Sequence, residues 1–244
     1  MRKLIVILII VFVFQLIVMN QRSIKSSDSF LRQRVLKLQN DQGSSCSGVE
    51  VKSAKGVVYT MTAGHCRDLL SPEGSLTAVD EQGKPFTISF VAEDTASDLL
   101  LLTGIGTAFV PIGESISPHE QVKAITHGKG WASFRTDGEV IQEIKVDILV
   151  GPILASDDLD RCLAKAPKQS VVSVQNPFIN MSISFCSLST IDTLSTTLIL
   201  PGSSGGPLFN MKGQLVGIAS AASNNDPFGR FVRLSDIQAF MAGR

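Results

Sequence analysis

Three short stretches of the chain carry side chains whose combination would do nucleophilic chemistry. Pro201-Gly202-Ser203-Ser204-Gly205-Gly206-Pro207 is too rich in glycine for the middle of a strand or helix, and reads as a site loop bearing two serines. A serine hydroxyl stays protonated at neutral pH, so a reactive one needs a general base beside it and preset donors for the oxyanion it creates. Glycines, lacking Cβ, let the main chain turn so that the amides of Gly202 and Ser204 point into one small space. His65, in Thr62-Ala63-Gly64-His65-Cys66, supplies a base. Asp98, directly before Leu99-Leu100-Leu101-Leu102, supplies a carboxylate to hold that imidazole in its working tautomer. Asp94 lies in the same loop but not before the leucine run, so Asp98 is preferred. The chemistry such a set performs is acyl transfer through a covalent serine intermediate.

The elements that must position these residues read as strands. Val57-Val58-Tyr59-Thr60-Met61 leads into His65, and the leucine run follows Asp98. From Ser44 onward, short β-branched or alternating runs recur at Ser47–Lys52, Val57–Thr62, Pro85–Val91, Leu99–Thr103, Gln121–Thr126, Gly138–Leu149, Ser170–Val174, Met181–Cys186, Leu194–Leu200, Gln214–Ser220 and Arg230–Leu234. Gly, Pro, Asp and Ser clusters separate them, a spacing that suggests barrels or a sandwich. The amphipathic stretch at the end predicts a helix over Asp236–Met241, with Ser235 placed to cap it.

At this point the chain resembles the trypsin- and chymotrypsin-like serine protease superfamily. Thr62 to Cys66 matches its histidine box, Asp98 before the leucines its aspartate segment, and Gly202 to Pro207 its Gly-x-Ser-Gly-Gly-Pro serine box. Gly213 to Ser220 matches the strand that pairs with substrate, and the likeness covers roughly residues 41 to 244. The resemblance implies an all-β fold of two six-stranded antiparallel barrels with the site in the cleft between them, barrel one over about 43–115 and barrel two over about 116–234. It assigns the nucleophile to Ser204, the serine followed by Gly-Gly-Pro, with Ser203 as the rival. Four cysteines allow three pairings; the family pattern implies Cys46 with Cys66 across the histidine loop, leaving Cys162 with Cys186. Leu198 falls where trypsins place the base of their specificity pocket, and Ser220-Ala221-Ala222 replaces a pocket wall. Neither offers a counter-ion, so cleavage after Lys or Arg is not expected unless Asp226 turns inward. Digestive trypsins carry aspartate where Ser203 stands, and that aspartate pairs with a chain terminus freed by processing. The expectation is a site that forms without processing. His127 falls where relatives carry a loop beside the oxyanion donors, and reads as a loop histidine satisfied by water or main chain.

Residues 1–20 read as a targeting segment. Arg2 and Lys3 precede a run from Leu4 to Met19 that is apolar but for Gln15. Those sixteen positions reach about 24 Å as helix, a little short of a hydrocarbon core of about 30 Å. The exit Val18-Met19-Asn20-Gln21-Arg22 lacks a small-x-small pair, which favours an uncleaved signal-anchor over a signal peptide cut near Ser26 or Ser27. Residues 21–42 read as a juxtamembrane linker, residues 43–244 as the protease domain with its helix at 235–242. The expected location is therefore extracytoplasmic, membrane-anchored or secreted. The chain has 244 residues, 44% of them apolar and 18% charged, with 22 basic against 22 acidic, which suits a full core and excludes a polyanion partner. Without Cys-x-x-Cys spacing no metal is expected, and no cofactor. The partner expected is a polypeptide substrate. Two other readings are a catalytically silent relative that binds peptide in the cleft, and an esterase. The esterase would need a Gly-x-Ser-x-Gly elbow between strand and helix, where this chain has Pro207 in an all-β context.

Overall fold

The computed structural model describes residues 28–106, 108–128, 133–152, 169–176, 181–222 and 228–244. After a helical turn at residues 28–32 come six strands, β1 (Val35–Gln39), β2 (Ser45–Lys52), β3 (Val58–Ala63), β4 (Ser75–Val79), β5 (Pro85–Asp94) and β6 (Leu99–Thr103). They close an antiparallel barrel in the order β1-β2-β3-β6-β5-β4. Seven more follow: β7 (Gln121–Thr126), β8 (Phe134–Pro152), β9 (Gln169–Asn176), β10 (Met181–Ser195), β11 (Pro207–Asn210), β12 (Leu215–Ala222) and β13 (Gly229–Arg233). Their order is β13-β12-β11-β7-β8-β10-β9, and pairing of β13 with β10 closes six of them into a second barrel with β9 appended outside. The two-barrel expectation holds, with the divide between β6 and β7.

The leucine run is buried on both of its faces: Leu99, Leu100, Leu101 and Leu102 are all fully enclosed. That is why it shows no alternation in the sequence. Their cluster also takes in Ile237, Phe240 and Met241 of the C-terminal helix α1 (Leu234–Ala242). This helix starts two residues ahead of the expected Asp236, with Arg233 rather than Ser235 at the cap position. No side chain caps it; Arg233 instead pairs with Asp236, so Ser235 belongs to the first turn rather than capping it.

Two further expectations are corrected. Residues 194–200 do not form a strand of their own: Leu194 and Ser195 end β10, and 196–200 run irregularly into the serine loop. The linker read over residues 21–42 is also too long, because its second half belongs to the fold. β1 pairs with β2 through Lys37–Ser47 and with β4 through Lys37–Val79, while Leu31 and Val35 are core residues. The scattered apolar positions at 30–38 belong first to the helical turn and then to a strand, so no single period was visible. Residues 1–27 lie outside the described residues, and with them the expected N-terminal hydrophobic helix. Among the described residues no helix is long and apolar enough to cross a membrane.

The helical turn is pinned by charge. Asp28 accepts from Lys123 Nζ at 2.9 Å and from Arg135, and the Lys123 side chain is only 4% exposed. Burial pushes the Asp28 carboxyl up, but the two cations outweigh it and hold the group below its ordinary range. Its contribution to stability is therefore present at neutral pH and fades as pH falls through the depressed value. Asp28→Ala, which strands a buried ammonium, is expected to destabilise the fold by about 3 kcal/mol. Chemical denaturation at pH 7 would read this, and the gap between variant and parent should narrow in acid.

Candidate active site

β3 ends at Ala63, and the chain turns through a 3-10 segment, Gly64–Leu69, that carries His65. Cys66, next in sequence, is bonded to Cys46 at the start of β2, so the implied pairing is present. Cys162 lies outside the described residues, and with it the expected second bridge. β6 runs beside β3 with Ala63 opposite Leu99, which puts Asp98 against the start of the histidine segment.

Asp98 holds that segment in several ways. Its main-chain carbonyl accepts from Gly64 N–H at 2.8 Å, and its Oδ1 accepts from His65 N–H at 2.8 Å. The imidazole Nδ1 lies 3.0 Å from Oδ2 and 3.2 Å from Oδ1. Asp98 adopts φ +53°, a left-handed conformation unusual for a side chain with Cβ but tolerated by Asp and Asn. The hydrogen bond that Asp98 accepts from the imidazole raises the His65 pKa above its ordinary value against the opposing effect of burial, and the charges of Asp98 and Asp68 add to it. The rival Asp94 is occupied elsewhere, its Oδ1 capping its own turn through Ala96 N–H, and the neighbouring Glu93 pairs with Arg67.

The serine loop begins with a tight turn. Leu200 C=O accepts from Ser203 N–H at 2.9 Å, with Pro201 and Gly202 at its corner and φ +86° at Gly202, the signature of a type II turn. Ser203 is fully buried, and its Oγ lies 2.8 Å from Thr126 Oγ1 and accepts from Leu200 N–H. Ser204 is partly exposed. Gly206 N–H donates to Ser203 C=O, Gly205 N–H to Ala219 C=O, and Ser47 N–H to Ser204 C=O. Among the described residues the amides of Gly202 and Ser204 make no hydrogen bond, and none joins Ser204 Oγ to His65.

His127 is 3% exposed, its N–H donating to Ser47 Oγ and its Nε2 lying 3.4 Å from Val35 C=O, so it is a packed histidine that a substrate does not reach. Leu198 has a half-exposed side chain, whereas the next residue, Ile199, is buried. Ser220 is buried at a bulge in β12; beyond it Ala221 and Ala222 pair with Arg230 and Gly229. Asp226 lies outside the described residues. Among the described residues no group of His, Cys, Asp or Glu is placed to hold a metal. Sequence reasoning missed Thr126, Leu200 and above all Ser47 as supports of the serine loop. The only signal was the position of Ser47 directly after Cys46.

Residues 46–218 match the trypsin-like peptidase domain. The serine protease Do-like HtrA of Bacillus subtilis (strain 168) is 28% identical over 188 residues, 77% of this chain but only 36% of that protein. The chain thus spans about a third of the length of that relative. Among solved structures, the active form of the Rv3671c protease from M. tuberculosis superposes with a TM-score of 0.62 at 17% identity, covering 89% of this chain and 82% of that one. The serine endoprotease from Yersinia pestis gives 0.60 at 18% identity, over 90% and 65% of the two chains. The match over residues 46–218 takes in the histidine, aspartate and serine segments together, and the chain belongs to the trypsin-like serine peptidase family.

Proposed function

We propose that this chain is a serine endopeptidase that uses Ser204 as nucleophile, His65 as general base and acid, and Asp98 to orient His65. The observation that carries the reading is the 3.0 Å pairing of His65 Nδ1 with Asp98, which leaves Nε2 as the nitrogen free to take a proton. Ser204 Oγ attacks the scissile carbonyl carbon while its proton passes to His65, and the unpaired amides of Gly202 and Ser204 receive the oxyanion. The C–N bond then breaks, the amine leaves with the proton from His65, and water releases the acyl group from Ser204 by the same steps in reverse order. The likeness to the Do-like HtrA serine protease of Bacillus subtilis supports this chemistry. Burial of Ser203 supports Ser204 over its rival, and the Thr126–Ser203 contact supports a loop that orders without a freed terminus.

Leu198, half-exposed, and the uncharged Ser220-Ala221-Ala222 offer no counter-ion, which supports a preference for small or medium apolar side chains over basic ones. The apolar run Leu4–Met19 and the Cys46–Cys66 bond support work outside the cytoplasm, either tethered through residues 1–20 or released after cleavage. A second reading, a silent relative that only binds peptide, draws on the missing hydrogen bond between Ser204 and His65. Such contacts often form only when substrate binds.

The test is labelling of the full-length protein by a fluorophosphonate probe. Labelling of the parent and of Ser203→Ala, with complete loss in Ser204→Ala, is the expected result. A folded parent that stays unlabelled would favour the silent reading.

A further inference from the structure

We infer that Ser47 is a positioning residue for the oxyanion donors, acting through its hydroxyl; this rests on the hydrolase reading above. Ser47 lies in β2 and is fully buried. Its Oγ accepts from His127 N–H at 2.9 Å, so the hydroxyl hydrogen is left to donate to Gly202 C=O, 3.2 Å away. Its own N–H donates to Ser204 C=O at 2.7 Å. Its carbonyl accepts from Thr62 Oγ1, at 2.7 Å, on the strand that leads to His65.

One residue thus grips the carbonyls of both residues whose amides stand open. The peptide joining Gly202 to Ser203 is held on its two sides, by Leu200 C=O on the N–H and by Ser47 Oγ on the carbonyl. The Gly202 amide belongs to the preceding peptide, and glycine rotates more freely than any other residue, so fixing the peptide on its far side limits how far that amide can turn away from Ser204. Donors that need no reorganisation as charge forms are the useful ones in acyl transfer. Among the described residues Ser47 makes no hydrogen bond to His65 or to Ser204 Oγ, so its loss is expected to act on donor alignment and leave the proton transfer alone.

The test uses the full-length chain and the second-order rate of fluorophosphonate labelling against pH, because phosphonylation also places charge on an oxygen in that space. Removing one oxyanion donor outright slows such enzymes about 10²–10³-fold, so misaligning donors in Ser47→Ala is expected to slow labelling roughly 10- to 100-fold. The acid limb of the pH profile should stay where it is in the parent. Ser47→Cys, of nearly the same shape with a weaker donor, should fall between, and carries the test if the alanine variant does not fold. Ser47→Thr should recover most of the rate. Labelling of Ser47→Cys or Ser47→Ala at the parental rate would overturn the inference, as would slower labelling with a displaced acid limb, which would mark general disturbance of His65. An unlabelled parent would bring down the hydrolase reading itself, and this inference with it.

Discussion

Replacing Asp98 with Asn is expected to lower kcat by about 10⁴-fold while leaving the fold in place. Asn tolerates the left-handed φ of +53° as readily as Asp, and its amide oxygen can still accept from His65 N–H. The side-chain NH₂ would then face Nδ1 and force that nitrogen to be the acceptor. The proton moves to Nε2, and the imidazole can no longer take one from Ser204. The same change removes the main influence that raises the His65 pKa, so the residual activity should show its acid limb at lower pH than the parent's. The sign follows from linkage. A raised histidine pKa adds stability that is whole below the unfolded value and is lost as pH rises through the folded one. The stability gap between parent and Asp98→Asn should therefore shrink over that interval, which denaturation curves at a series of pH values would read. A gap that widens with pH would contradict the pairing.

Gly205→Ala should be the most damaging glycine-to-alanine change among the described residues. Gly205 sits at φ +79°, and a Cβ built there would lie 1.9 Å from Thr62 Oγ1 and 2.3 Å from Ser47 C=O. Neither neighbour can retreat cheaply. Thr62 is bonded to that same carbonyl, and the carbonyl belongs to a barrel strand. Backbone strain adds to the overlap, and a loss of more than about 4 kcal/mol is expected, enough to leave much of the protein unfolded. Far-UV circular dichroism and a melting curve would show it; a variant within about 1 kcal/mol of the parent would mean that the serine loop moves away from β2 and β3.

Both cases show what could be read in the chain before its fold. Asp98 was legible because a carboxylate directly before a leucine run marks the mouth of a buried strand. Ser204 was separable from Ser203 only through the motif around it; the physical reason, burial of Ser203 against Thr126, joins residues 77 positions apart. Ser47 stood out only as the residue after Cys46, and its role was hidden for the same reason. Its partners Thr62, His127, Gly202 and Ser204 come from three other segments, and nothing local in Cys46-Ser47-Gly48 announces them. β4 and β11 escaped notice through their brevity, and β1 because a helical turn precedes it with no break in polarity. The barrels themselves were legible because runs such as Leu99–Thr103 and Gln121–Thr126 have sharp ends.

The docking of the helical turn at Asp28 also sets a leash. A linker running from residue 20 to residue 42 would let a tethered domain wander up to about 80 Å from its anchor, taking about 3.5 Å per extended residue. With Asp28 fastened to Lys123 and Arg135, nine residue steps separate Met19 from the fold, a reach of at most about 30 Å. On the membrane-tethered reading, the cleft could then travel from the bilayer no farther than that stretch and the domain's own width allow. Loss of the Asp28 contacts would lengthen such a tether only as far as Leu31 and Val35, which the core holds.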